Sequence, residues 1–191
     1  MNAPPGPDAA LVERARRGDQ RAYAALLDAH RAAVLRLTRT YTAHDEDARD
    51  LAQEAFVAAF AALDRFDPAR PFRPWLLRTA LNKCRDWSRR RAVRRLFGFT
   101  LDATVADTVA SDAPDPETQA GDAQALIRAR AAIAALPDQL KAPLILTAIE
   151  GNNQAEAAAM LAISEKAVET RVRRARRMLA ECLKIEDGVE G

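Results

Sequence analysis

Residues 98–122 hold six acids (Asp102, Asp107, Asp112, Asp115, Glu117, Asp122), no lysine or arginine, and the turn-rich run "SDAPDPET". So polar and self-repelling a stretch reads as a flexible linker rather than as part of a packed core. It divides the chain, and whatever folds must fold on either side of it. At 191 residues there is room for two small domains. The expected organisation is a first domain over 8–95, a linker over 96–122 and a second domain over 123–186.

On both sides of the divide, apolar residues recur at helical spacing. Aromatics are only 5% of the chain, and alanine, leucine and arginine dominate, a mix that favours helices over sheets. The pattern predicts helices at about 8–17, 19–42, 45–65 and 71–95, then at about 122–135, 138–149, 154–161 and 164–184. Asp19 and Asp45 stand where N-caps belong, since a carboxylate accepts the free amides of a first turn. Three prolines in "DRFDPARPFRP" end the third helix, while Pro137 and "EGNN" punctuate the second block. Pro143 is tolerated early in its helix. The fold class expected is all-α, as two small helical domains.

Several function classes are disfavoured. No apolar run approaches the roughly 20 residues that span a bilayer, and "MNAPPGPDAALVERARRGD" lacks the apolar stretch of a signal peptide. Cys84 and Cys182 are far apart with no CxxC, so neither zinc nor a disulfide is suggested. His30 and His44 sit in no triad or metal spacing. The expectation is a cytoplasmic protein with reduced thiols, no metal and no cofactor. The formal charge is only +2, so the distribution of charge carries the information.

"NQAEAAAMLAISEKAVETRV" (153–172) has the two-helix spacing of a DNA-binding helix-turn-helix, with Ala158, Leu161, Ile163, Val168 and Val172 at its inward positions. Ser164 is placed to cap the second helix. Glu165, Lys166, Glu169, Thr170 and Arg173 then point outward along the half that enters a major groove. Arg171, Arg174, Arg176 and Arg177 add phosphate-binding charge. Ala162 occupies a turn position often filled by glycine, costing about 1 kcal/mol if its φ is positive. An αα-hairpin with a basic solvated face fits the same pattern.

In the first block, Asp45–Asp67 carries seven acids and two arginines, whereas Arg70–Arg95 carries ten cations and one acid, Asp86, together with both tryptophans. Asp50, Gln53, Glu54 and Val57 fall at i, i+3, i+4 and i+7, one face suited to docking on a basic protein element or simply to solvent. Cations bind phosphates, and aromatic rings stack on unpaired bases at about 1–3 kcal/mol each. Phe66, Phe72, Trp75 and Trp87 border or lie within the cluster, either as a platform for a melted strand or as core residues of a bundle.

With both blocks read, the chain resembles an extracytoplasmic-function (ECF) sigma factor of bacterial RNA polymerase. "DLAQEAF" is similar to the family's D-[LIV]-x-Q-[DE]-x-F, and "FRPWLLRTALNKCRD" to its F-x-x-W-L-x-x-I-A-x-N-x-x-x-D, with Thr79 at the usual isoleucine. The segment from Leu136 to Leu179 resembles region four, with Lys141 for arginine, Ala157 for isoleucine, Ala162 for glycine and Ala167 for threonine. The resemblance implies that Asp50, Leu51, Gln53, Glu54 and Phe56 meet the polymerase core (β′ clamp helices, with the β subunit also a partner). It implies that Phe72, Arg73, Trp75, Arg78, Asn82, Lys83, Asp86, Trp87, Arg89, Arg90 and Arg91 meet the minus-ten strand. Glu165, Lys166, Glu169, Thr170, Arg171, Arg173 and Arg174 are then the readers of the minus-thirty-five duplex. It also implies an anti-sigma factor as inhibitory partner and no active site in the chain itself, the polymerase doing the chemistry. A stand-alone helix-turn-helix regulator leaves the Arg70–Arg95 cluster unexplained, and a purely protein-binding adaptor leaves both basic blocks without a partner.

Overall fold

The computed structural model describes residues 7–96 and 118–187, with side chains over 7–94 and 123–183. The acidic linker expected over 96–122 lies outside the described residues except at its ends. The described residues form eight α-helices and no strands. They are α1 (Ala9–Arg16), α2 (Gln20–Thr42), α3 (Asp45–Ala61) and α4 (Phe72–Leu96), then α5 (Thr118–Ala135), α6 (Asp138–Leu144), α7 (Gln154–Leu161) and α8 (Glu165–Asp187). No described helix is long and apolar enough to cross a membrane.

The N-terminal block is organised around α2. Ala22, Leu26, His30, Val34, Leu37 and Tyr41 are buried along one stripe at spacings of three and four. Packed against it are α3, through Leu51, Ala52, Ala55, Phe56 and Ala59, and α4, through Phe72, Leu76, Leu77, Ala80, Leu81 and Cys84. The alanines of α3 let the helix axes approach closely. Asp19 caps α2 as expected, its Oδ1 accepting from the amides of Arg21 (2.9 Å) and Ala22 (3.3 Å). Asp45 does not cap α3. His44 holds that position, and the acids Asp45, Glu46 and Asp47 fill the first turn, where they complement the helix dipole.

Arg16 has a role that sequence spacing did not mark. Its guanidinium donates to the carbonyl of Leu63 (3.0 Å from Nη2) and to that of Phe66, fastening a 3-10 turn at Leu63–Arg65. That contact fixes where the chain leaves α3 and enters the loop before α4. His30 Nε2 lies 3.0 Å from Asp8 Oδ2 and ties the start of α1 to α2.

The single helix expected over about 138–149 is two elements. A π-helical turn, Ile145–Ile149, follows α6, and the Glu150 amide donates to the Ile145 carbonyl (3.0 Å). Thr147 Oγ1 donates to the carbonyl of Pro143 (2.9 Å) within this turn. Gly151 then adopts φ 71°, which glycine tolerates without steric cost, and Asn152 Nδ2 donates to the Leu146 carbonyl (2.9 Å). The wide turn and the left-handed glycine together set the direction of Glu150.

The two blocks are docked on each other. One continuous apolar core runs from Val12 through Cys84 to Leu136, Ile145 and Ala175. Helix α2 meets α5 and the π turn, and α4 meets α7. Lys141 is buried beside Tyr41, its Nζ 4.6 Å from the ring centroid and 3.6 Å from Asp138. Burial pushes the Lys141 amine below its ordinary value, and Asp138 opposes the shift.

Burial also pushes the Cys84 thiol well above its ordinary value of 9.0, against a downward pull from Lys141. The folded chain therefore keeps a proton that the unfolded chain loses, so the thiol's contribution is full below about pH 9 and declines above it. Relative to the Cys84→Ala variant, the native chain should lose roughly 1.4 kcal/mol between about pH 8 and pH 10 in urea denaturation. Parallel pH profiles for the two proteins would contradict this placement of the thiol.

Candidate polymerase and nucleic-acid interfaces

The face proposed for polymerase docking divides by depth. Asp50, Gln53 and Glu54 are exposed, as is Val57 (63%), so the i, i+3, i+4, i+7 set does share one solvent face. Leu51 and Phe56, assigned to the same interface, lie in the core. Phe56 nevertheless lines an open groove of about 590 Å³ between α2 and α3, beside Leu27, Leu35, Gln53 and Val57. Arg31, Arg39 and Arg49 line it too. The groove is apolar within a cationic setting, and no motif in the sequence announced the α2 side of it.

The aromatic residues near the cation cluster are packed together. Phe66 and Phe72 are buried, and Trp75 rests half-buried against both, with ring centroids 5.0 Å from Phe66 and 5.6 Å from Phe72. Phe66 and Phe72 meet edge to face at 5.5 Å. Of the two openings the sequence left, core and strand platform, Phe72 takes the first, and its ring is not available at the surface. Trp87 is also half-buried, its Nε1 donating to Asp47 Oδ1 (3.1 Å) beneath the Arg91 guanidinium, which lies 5.3 Å from the ring centroid.

The acid-rich α3 and the base-rich α4 are neighbours, and the two compositions meet. Lys83 pairs with Glu54 (3.6 Å), and Arg91 approaches Asp47 (3.9 Å). Arg89 pairs with Asp86 one turn away. Two of the cations assigned to the minus-ten strand are thus partly neutralised by α3. Arg78, Asn82 and Arg89 are exposed at i, i+4 and i+11 along one stripe of α4, and Arg90 is exposed beside it. Arg73 is half-buried and faces the C-terminal block, as set out below.

The helix-turn-helix forms as the spacing required. Asn153 and Glu156 make a reciprocal capping box at the start of α7, at 2.9 Å in each direction. Ser164 Oγ accepts from the Ala167 amide (3.1 Å) at the start of α8. Ala158, Leu161, Val168 and Val172 are buried, and Ile163 is half-buried. Glu165, Lys166, Thr170, Arg173 and Arg174 are exposed on α8. Lys166 donates to Glu169 (2.8 Å) and holds its carboxyl below the ordinary range, so these two side chains are paired on the outer face of α8. Arg171 is turned toward the N-terminal block, lining a cleft with Arg85 and Arg89.

Comparison with known proteins fits this arrangement. Residues 26–94 match Sigma-70 region 2, and residues 126–179 match Sigma-70, region 4. The RNA polymerase sigma factor CnrH of Cupriavidus metallidurans is 43% identical over 183 residues, covering 94% of this chain and 96% of that protein. The ECF RNA polymerase sigma-E factor of Escherichia coli is 30% identical, covering 88% of this chain and 90% of that one. The structure of CnrH in complex with the cytosolic domain of CnrY superposes with a TM-score of 0.69 at 36% identity, covering 93% of this chain and 97% of that one. RpoE of Bartonella quintana, solved with the anti-sigma factor NepR, shares the fold (TM-score 0.68, 22% identity, covering 85% of this chain and 97% of that one). Basic helix, helix-turn-helix and both region signatures thus define a sigma-70 type initiation factor. Within that type, the chain belongs to the ECF sigma factors.

Ala162 ends α7 at φ 55°, ψ 46°, a left-handed conformation that costs an alanine about 1–2 kcal/mol. Glycine removes that cost but gives back about 0.4–1 kcal/mol through the unfolded chain. Ala162→Gly should therefore raise stability by about 0.5–1 kcal/mol in urea titration, with duplex affinity unchanged. A net loss of stability would mean that the turn is shaped by something other than its backbone.

Proposed function

We propose that the chain engages core RNA polymerase through the exposed Asp50, Gln53 and Glu54 face of α3 and the adjoining groove, with Leu51 and Phe56 shaping that face from beneath. The β′ clamp helices are its seat, and the β subunit is the second polymerase contact. Arg73, Trp75, Arg78, Asn82, Lys83, Asp86, Trp87, Arg89, Arg90 and Arg91 serve the minus-ten strand, with Phe72 bracing Trp75. Glu165, Lys166, Glu169, Thr170, Arg171, Arg173 and Arg174 serve the minus-thirty-five duplex. As an ECF sigma factor, the chain directs the polymerase to specific promoters and promotes melting. The polymerase supplies the chemistry, so the chain works as a non-enzymatic subunit in the cytoplasm. The relative CnrH was solved with the cytosolic domain of CnrY, and a comparable anti-sigma factor is the inhibitory partner proposed here.

The observation that carries this reading is the pairing, in one chain, of an exposed basic stripe on α4 with a helix-turn-helix at α7–α8. The first suits an opened strand and the second a duplex groove. In-vitro transcription with purified core polymerase on a promoter library tests it, and absence of chain-dependent transcripts would refute it. Changing Gln53 and Glu54 together to alanine should weaken core binding by about tenfold or more while leaving circular dichroism intact, since exposed substitutions usually cost under about 0.5 kcal/mol of stability. Unchanged core affinity in the folded variant would remove α3 from the polymerase interface.

A further inference from the structure

The two blocks are joined by charges that the proposed function needs elsewhere. Glu150 follows the π turn, and its side chain is fully out of solvent. Arg36 of α2 grips it with two parallel bonds, Nε to Oε1 and Nη2 to Oε2, both 2.9 Å. Arg73 Nη2, at the start of α4, donates to Oε2 (2.9 Å) and to the Glu150 carbonyl (3.0 Å). A second point of contact lies along α4. Ser88 Oγ donates to Asp138 Oδ1 (3.3 Å), and Asp138 stands in a cleft of about 270 Å³ with Arg85, Arg89 and Arg171.

We propose that Glu150 is the centre of an intramolecular latch in which its carboxylate takes the place of a DNA phosphate on Arg73, so that the docked chain is autoinhibited. The proposal rests on the assignment of Arg73, Arg89 and Arg171 to promoter contacts. A carboxylate and a phosphate offer guanidinium groups the same paired oxygen acceptors. While Arg73 holds Glu150, it is not free for a strand. While Arg171 faces Arg85 and Arg89, the recognition helix and the basic stripe of α4 are turned toward one another rather than toward separate promoter elements.

The chemistry suits a switch. Buried ion pairs roughly break even against their hydration, so the latch fixes one arrangement without holding it firmly. Polymerase or DNA that binds only the opened chain shifts the balance by its differential affinity.

Arg36→Ala and Glu150→Gln test this. Arg36 belongs to neither proposed DNA face, and its side chain is 47% exposed, so its loss removes the grip while sparing both faces. Each variant should show a larger radius of gyration by small-angle X-ray scattering, and should bind a labelled mixed-sequence single-stranded 12-mer about tenfold more tightly, as expected when a tenth-populated open state becomes dominant. The double variant should go no further than either single one. Arg36→Lys, which keeps the charge but not the two-point grip, should fall between, guarding against loss of fold as the cause. Unchanged scattering and unchanged affinity in folded variants would overturn the latch. Expansion without tighter binding would overturn the competition between carboxylate and phosphate. Arg36→Ala should still support promoter-specific transcription with saturating core, and that assay, read separately, tells whether the initiation reading itself stands.

Discussion

A carboxylate withdrawn fully from water must be met by hydrogen-bond donors and opposite charge, or its burial is too costly to persist. Glu150 meets that condition only because α2 and α4 each present an arginine to it, Arg36 and Arg73. Its position depends in turn on local backbone features, the π-helical turn Ile145–Ile149 and the left-handed Gly151. Glu150 comes from the C-terminal block and both arginines from the N-terminal one, so the charge is met only when the two are docked. The arrangement of the two blocks is therefore coupled to one side chain, and through Arg73 to the entrance of the basic helix.

Around that contact the apolar core is continuous. Helix α2 serves both blocks, carrying α3 and α4 on one side and meeting α5 and the π turn on another. The acid-rich α3 lies beside the base-rich α4, so Asp47 and Glu54 temper Trp87, Arg91 and Lys83. This also links the face proposed for polymerase to the one proposed for the strand, because Glu54 is assigned to the first and Lys83 to the second. Polymerase docking at α3 would thus alter the electrostatic setting of α4 directly, without any change of fold.

Much of this was legible in the sequence. Apolar spacing and prolines located the helices, and Asp19, Ser164 and the inward residues Ala158, Leu161, Val168 and Val172 stand where the pattern placed them. Ala162 in a glycine position carries the positive φ that position demands. Two local expectations gave way. His44 rather than Asp45 precedes α3, because three consecutive acids leave the boundary between cap and first turn undefined. The π turn falls inside what the pattern predicts as ordinary helix, since periodicity does not register one extra residue in a single turn. The contacts between blocks were not legible at all. Arg36 and Arg73 lie 114 and 77 residues from Glu150, and spacing shows which side chains are buried or exposed, never which distant partner they meet. For the same reason spacing leaves Phe72 open between platform and core, and its edge-to-face packing on the buried Phe66 places it in the core.

Docking of the two blocks in the free chain and their separation on the polymerase are both readable as one distance. Cys182 is exposed on α8 and Cys84 is buried, so one spin label goes selectively to Cys182 and a second to an Asp64→Cys substitution. Double electron–electron resonance then measures the distance between the blocks. A dominant short, narrow distance population is expected in the free protein, with at most a minor longer one, and the longer one should become dominant when core polymerase is added. An identical distribution with and without core, in a sample that supports transcription, would contradict that separation.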